Sequence, residues 1–242
     1  QLDSYDTKMT IMTLLESKVK GTNNETLLKQ IFVGKTRSFI KGVYHDYIDN
    51  VSPQEYYDIE LDVKGCKDIY ASFDKFTKTE RLDGYNTDEY GRITIDRGVT
   101  FIEFPPVLNL HLKRFELNYN TFQLYKLHDP LEFPVVINLN KYFDPTIKRT
   151  IDYTYELSSV IVHSGEKTGG HYYCYIRPAT HHQYGQYPPK ESDGRWFEFN
   201  DSNVHEVDKR TAVDSNYGSQ NQKSSAYMLV YVRVDQGKKI ME

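Results

Sequence analysis

The segment Val107–Leu108–Asn109–Leu110–His111–Leu112, led in by Pro105–Pro106, constrains the fold more than any other. It is too densely apolar for a strand with one wet face and reads as a strand covered on both. The rest of the sequence supplies strands to set beside it. With 21 Tyr and 12 Phe, aromatics make up 14% of the chain, and such side chains suit a pleated, half-buried surface. Further strands are predicted at Ile31–Val33, Thr36–Tyr44, Glu55–Val63, Tyr155–His163, His171–Ile176, Trp196–Phe199 and Ala226–Val234. Arg92–Ile95 and Thr100–Phe104 are expected to flank a turn at Asp96–Gly98, with another turn at Leu82–Gly84.

Helices are fewer. Tyr5, Met9, Met12, Leu15 and Val19 recur at helical spacing, with Asp3 or Ser4 as N-cap and Gly21 as a stop. Shorter helices are expected at Lys67–Phe76 and around Arg210–Tyr217. Residues 116–130 read as a polar loop, 178–195 as an exposed insertion, and the tail from Asp235 as frayed. The class is α+β, and 242 residues suffice for one large domain or two small ones.

Charge and cysteine usage exclude several functions. Lys and Arg number 30 against 34 Asp and Glu, a net charge of −4, which argues against a nucleic-acid partner. Two cysteines, Cys66 and Cys174, make neither a disulfide framework nor a zinc ribbon, pointing to the cytoplasm or nucleus. No apolar run of roughly 18 residues and no signal peptide are seen, so no membrane association is expected. The sequence opens at Gln1 without an initiator Met and is read as a piece of a longer protein.

Of eight histidines, most have bland readings. His45 and His128 lie in polar contexts, His181–His182 in the insertion, and His111 inside a strand as a satisfied core residue. His171 follows Gly169–Gly170 and opens an aromatic strand, where it is placed to act as a general base or simply to end a hairpin. Further on, Trp196–Phe197–Glu198–Phe199 ends in Asn200–Asp201, either an Asx turn or an acceptor for an imidazole Nδ1–H that leaves Nε2 to face a nucleophile. No nucleophile accompanies them. Cys174 is an odd number of residues from His171 and falls on the opposite strand face. Cys66, between Lys64 and Lys67, has basic neighbours that would lower its pKa, but reads as a loop thiol. A serine elbow is absent. A metal site on His163 and His171 lacks a carboxylate pair.

Taken together, several motifs resemble the ubiquitin-specific proteases, papain-like cysteine deubiquitinases, and most of all their herpesvirus-associated branch. They are Ser164–Gly165–Glu166–Lys167–Thr168–Gly169–Gly170–His171–Tyr172, Phe199–Asn200–Asp201–Ser202–Asn203–Val204, Pro105–Pro106–Val107 through Arg114–Phe115, and Ala226–Tyr231. Tyr56–Ile59, Arg81–Gly84 and Leu131–Pro134 follow in the same order. The resemblance implies a hand-like fold of thumb, palm and fingers, with residues 1–30 a remnant of thumb helices, 31–104 fingers and adjoining palm, 105–234 palm and 235–242 a tail. It implies hydrolysis at the C-terminal Gly of ubiquitin, with His171 as general base, Asn200 orienting it and Asp201 assisting. By the same resemblance Asp3, Phe115, His163, Gly169, Gly170 and Tyr172 bind the ubiquitin tail, and Asp3 meets its arginine.

The implied partners are ubiquitin and ubiquitinated proteins; no cofactor is implied. Three departures stand out. The Gly-x-Thr-Cys-Tyr box with the nucleophile is absent, and expected upstream; Tyr5 and Asp6 replace the usual Gln and Glu; and two cysteines leave no paired zinc knuckles. The 242 residues alone are therefore expected to be inactive, and to expose apolar surface that favours self-association.

Overall fold

Pairing decides more of the elements than propensity does. The computed structural model describes residues 3–50, 52–166, 169–178 and 195–236. In chain order they form α1 (Ser4–Val19), α2 (Leu27–Phe32), β1 (Gly34–Gly42), β2 (Ile48–Asn50), β3 (Gln54–Tyr56), β4 (Asp58–Asp62) and α3 (Ile69–Phe76). Then come β5 (Glu80–Thr87), β6 (Gly91–Glu103), β7 (Val107–Lys113), β8 (Phe115–Asn118), β9 (Gln123–Lys126) and β10 (Val136–Asn138). The last are β11 (Thr154–Glu166), β12 (Gly169–Ile176), β13 (Trp196–Asn200), β14 (Asn203–Val207), α4 (Lys209–Ala212) and β15 (Ser224–Arg233). The architecture is strand-rich α+β, the class the sequence predicts.

An eight-stranded sheet carries the site. Its order is β14-β13-β12-β11-β15-β7-β4, with β10 also on β11. Every pair is antiparallel except β4 with β7. As its composition requires, β7 is buried from Val107 to Leu110 and again at Leu112. Its side chains join a core that includes Phe73, Phe101, Phe104, Tyr155, Trp196 and Tyr231. On α1, the Asp3 carboxylate caps the helix by accepting the Tyr5 amide at 2.8 Å. Only Met12 of α1 is buried, and Leu15 of the expected stripe is exposed along with Ile11 and Leu14.

A second sheet, β2-β1-β6-β5 with β3 also on β1, corrects the expected turn at Asp96–Gly98. There β6 runs straight through, because Asp96 pairs with Lys41 on one side and Arg81 on the other. Gly98 serves close approach instead of a turn. A Cβ there would come within 2.8 Å of the Phe39 ring. The expected turn at Leu82–Gly84 is a bulge inside β5. Ile31–Phe32 is helical, not extended: it ends a Leu-Leu-Lys-Gln run of good helix formers, with Val33 N–H donating to the Lys29 carbonyl at 3.0 Å. Residues 116–130 hold the β8–β9 hairpin, and Glu55–Val63 splits into β3 and β4 with different partners. The exposed strand β14 has no apolar alternation and was not predicted. Most of the expected insertion, His181–His182 and residues 237–242 lie outside the described residues.

Two cations are buried beneath the site. Arg114 donates to four main-chain carbonyls: Ala226 at 3.1 Å, Leu127 at 3.4 Å, Asp129 at 2.5 Å and Tyr217 at 2.7 Å. Burial pushes its guanidinium down to about 10. Lys126 donates to the carbonyls of His163 (2.8 Å), Gly165 (3.3 Å) and Lys223 (2.6 Å). Burial, then the nearby Arg114 charge, pushes its ammonium down to about 8. Between them they tie β11 and β15 to the segments that follow β9 and precede β15 through buried main-chain carbonyls.

Candidate active site

His171 and Asn200 sit on neighbouring antiparallel strands, whose register sets Cys174 opposite Phe199. The imidazole Nε2 lies 2.7 Å from the Asn200 Oδ1. This corrects the expected arrangement, in which Nδ1 is the held nitrogen. Projecting from β12 toward β13, the ring reaches its neighbour with its distal nitrogen, so Nδ1 is the one left to meet a reactant. The Asn200 Nδ2 donates to Glu198 Oε1 at 3.1 Å. His171 is backed by Tyr173, their rings stacked 6.1 Å apart at 22°. Asp201 Oδ2 lies 3.8 Å from His171 Nε2, beyond hydrogen-bond range, and its side chain is largely exposed. With φ +52°, Asp201 also makes the turn into β14, a left-handed conformation that Asp tolerates. Asn200 thus contacts the ring and Asp201 turns the chain, one function for each residue.

The predicted tail-binding residues gather separately. Tyr172 follows His171, so strand alternation sends its side chain to the other face of β12. There it pairs with His163 across β11. The His163 ring contacts Tyr172 (4.8 Å) and Phe115 (5.5 Å). Asp3 completes the group: Tyr172 donates to its Oδ2 at 2.9 Å, and Tyr227 to Oδ2 at 3.0 Å. Sequence reading missed Tyr227 as a member of the group, although it lies within the Ala226–Tyr231 motif. His111, expected to be a satisfied core residue, is half-buried and stacked on Tyr5 at 4.6 Å, and its Nδ1 has no hydrogen-bond partner. Burial lowers its pKa.

The two glycines before His171 differ. Nothing lies within 4 Å of a Cβ built on Gly169, whereas one on Gly170 would come 2.1 Å from His163 Nε2. Both the His163 side chain and, at 2.9 Å, the Ser164 carbonyl need the space. Gly170→Ala should therefore lower stability by about 1–3 kcal/mol through overpacking, while Gly169→Ala should stay within about 0.5 kcal/mol. Denaturant midpoints check this, and equal losses would contradict it.

Neither thiol serves His171. Cys174 faces away on β12, and burial pushes its pKa up. Cys66, expected in a loop with basic neighbours, is buried in the core with Ile69 and Phe73. His163 and His171 emerge from opposite faces and cannot share a metal ion. Among the described residues no group of three His, Cys, Asp or Glu is arranged to hold one. No described helix is long and apolar enough to cross a membrane.

Fold and site together define a strand-rich α+β domain with a histidine–asparagine pair on neighbouring strands of its larger sheet. More narrowly, the chain belongs to the ubiquitin carboxyl-terminal hydrolase family, whose model matches residues 1–231. It is 36% identical to ubiquitin C-terminal hydrolase 12 of Arabidopsis thaliana, covering 100% of this chain and 23% of that protein. With ubiquitin carboxyl-terminal hydrolase 15 of Saccharomyces cerevisiae the identity is 35%, over 98% of this chain and 21% of the relative. Among solved structures it resembles the SAGA Ubp8/Sgf11/Sus1/Sgf73 DUB module bound to ubiquitin aldehyde, with TM-score 0.75 and 26% identity. That match covers 96% of this chain and 49% of the other. The chain thus spans under a quarter of the length of these curated relatives.

Proposed function

We propose that the full-length protein is a deubiquitinase that hydrolyses the isopeptide or peptide bond after the C-terminal Gly of ubiquitin. The observation that carries this is the 2.7 Å contact between His171 Nε2 and Asn200 Oδ1, which leaves Nδ1 for a nucleophile. A cysteine from outside these 242 residues supplies the thiol, since neither Cys66 nor Cys174 faces His171. Nδ1 takes the thiol proton; the thiolate attacks the carbonyl of the terminal Gly, and the imidazolium protonates the leaving amine. Water, deprotonated by the same nitrogen, then releases ubiquitin from the acyl-enzyme. Asp201 adds negative charge beside the imidazolium.

Asp3, Phe115, His163, Gly169, Gly170 and Tyr172 form the surface for the ubiquitin tail, with the Asp3 carboxylate turned from its tyrosines to the tail arginine. The eight-stranded sheet would then be the palm and the β1–β3, β5, β6 sheet part of the fingers, with ubiquitin and ubiquitinated proteins as partners in the cytoplasm or nucleus. The test is release of a fluorophore from a ubiquitin C-terminal conjugate by the full-length protein, and its loss on thiol alkylation. No release, with ubiquitin still bound in a titration, would replace this reading with that of a binding or scaffold module.

A further inference from the structure

An asparagine that orients a histidine carries an ambiguity an aspartate does not. Its two ends are nearly the same shape, yet one accepts and the other donates. With Oδ1 toward His171, the ring must carry its proton on Nε2, and Nδ1 keeps a lone pair. With Nδ2 toward the ring, Nε2 must accept, the proton moves to Nδ1, and the ring has no base to offer a thiol. Something must decide between them.

On β13, alternation puts Glu198 and Asn200 on one face. Glu198 Oε1 lies 3.1 Å from the Asn200 amide nitrogen. A carboxylate only accepts, so the end of Asn200 that faces it must be the donor. Glu198 is itself held. Its side chain is only 16% exposed. From β12, Tyr175 stands directly opposite, and burial, then Tyr173 and the Glu198 carboxylate, push its phenol pKa up. From β14, His205 places Nε2 4.0 Å from Oε2. Tyr175 is buried and packed edge-on against Tyr173, which in turn stacks on His171.

We infer that Glu198 is a positioning residue: by fixing which way the Asn200 amide faces, its carboxylate sets which nitrogen of His171 bears the proton. The inference rests on the deubiquitinase reading for its effect on turnover, but not for its effect on the ring.

The experiment uses the full-length protein and a ubiquitin–fluorophore conjugate, with kcat and KM measured separately. Glu198→Ala, or Glu198→Met if alanine fails to fold, should lower kcat by about tenfold or more, a fraction of the loss seen when a catalytic histidine is forced into the wrong tautomer. KM should stay within about twofold, since Glu198 lies on the face away from the Tyr172–Asp3 group. Glu198→Gln keeps an acceptor oxygen for Asn200 and should recover most of kcat. The deciding arm sets the same changes in an Asn200→Asp background. Both ends of a carboxylate accept, so removing Glu198 there should not lower kcat further and should relieve a repulsion. An unchanged kcat in Glu198→Ala, or an equal loss with Asn or Asp at 200, would overturn the inference and leave Glu198 a structural residue.

The ring can also be read without turnover, from the ¹⁵N shifts of His171 in histidine-labelled protein. Wild type should show Nε2 protonated and Nδ1 bare, and Glu198→Ala a mixture. A wild-type ring already protonated on Nδ1, or a variant with an unchanged tautomer, would overturn it. If the tautomer behaves as expected but wild type releases no fluorophore, it is the deubiquitinase reading that has failed.

Discussion

Full-length protein carrying His171→Ala should turn over a ubiquitin–fluorophore conjugate about 10³- to 10⁴-fold more slowly than wild type, the scale seen when the base of a nucleophile–histidine pair is lost. Without Nδ1 there is no acceptor for the thiol proton and no donor for the leaving amine, so acylation and its reversal both stall. Affinity for ubiquitin should be largely kept. His171 touches Asn200 and Tyr173, while the aromatic group around Tyr172, His163 and Asp3 leaves β12 on the other face. Single-turnover kinetics beside a binding titration separate the two effects. Asn200→Ala should fall between, because the ring stays in place against Tyr173 but loses what fixes its tautomer. Turnover in His171→Ala within about tenfold of wild type would remove His171 from the chemistry.

Arg114→Met should cost at least about 3 kcal/mol of stability, read as a shift in denaturant midpoint, because each buried carbonyl left without a donor costs about 1–3 kcal/mol. Two effects oppose each other. Removing the guanidinium ends a desolvation penalty severe enough to bring its pKa down to about 10. Against that, the carbonyls of Leu127, Asp129 and Ala226 lose the guanidinium, while that of Tyr217 keeps the Leu131 amide at 2.9 Å. The orphans win, since three acceptors outnumber one ion. Lysine at 114 should recover only part of the loss, as one ammonium cannot span acceptors that a planar fork reaches. A change below about 1 kcal/mol would mean that water or a loop shift satisfies those carbonyls.

Periodicity carried the sequence reading wherever one side of an element meets the core. The apolar run at Val107 and the strands predicted from Tyr155 and Ala226 became β7, β11 and β15, while the stripe from Tyr5 to Val19 became α1 with only Met12 buried. Elements whose partners are far away in the chain left no such mark. β14 is exposed over most of its length and exists because Trp196–Asn200 needs an edge to pair with. β6 passes through an Asp-Arg-Gly that local chemistry reads as a turn, because strands on both sides claim it. Within the site, His171 and Asn200 were legible as a Gly-Gly-His and an Asn-Asp at strand ends, but the choice of nitrogen was not, since it follows from the reach across two strands. Nor was the bonding of Asp3 to Tyr172 and Tyr227, which lie 169 and 224 residues along the chain. Arg114 and Lys126 look like solvated cations in sequence; only the packing around them shows the carbonyls they serve.

The ladder between β12 and β13 has a consequence for how this family can vary. His171 meets Asn200 because of which residues face each other across the two strands, not because of the length of chain that joins them. Closing a loop becomes only slowly more unfavourable with size, about 0.6 kcal/mol for each doubling. Residues between Ile176 and Trp196 can therefore be added, removed or replaced by a docking sequence while the reacting pair keeps its spacing. Register holds the chemistry constant, and the connection is left to evolve independently of it.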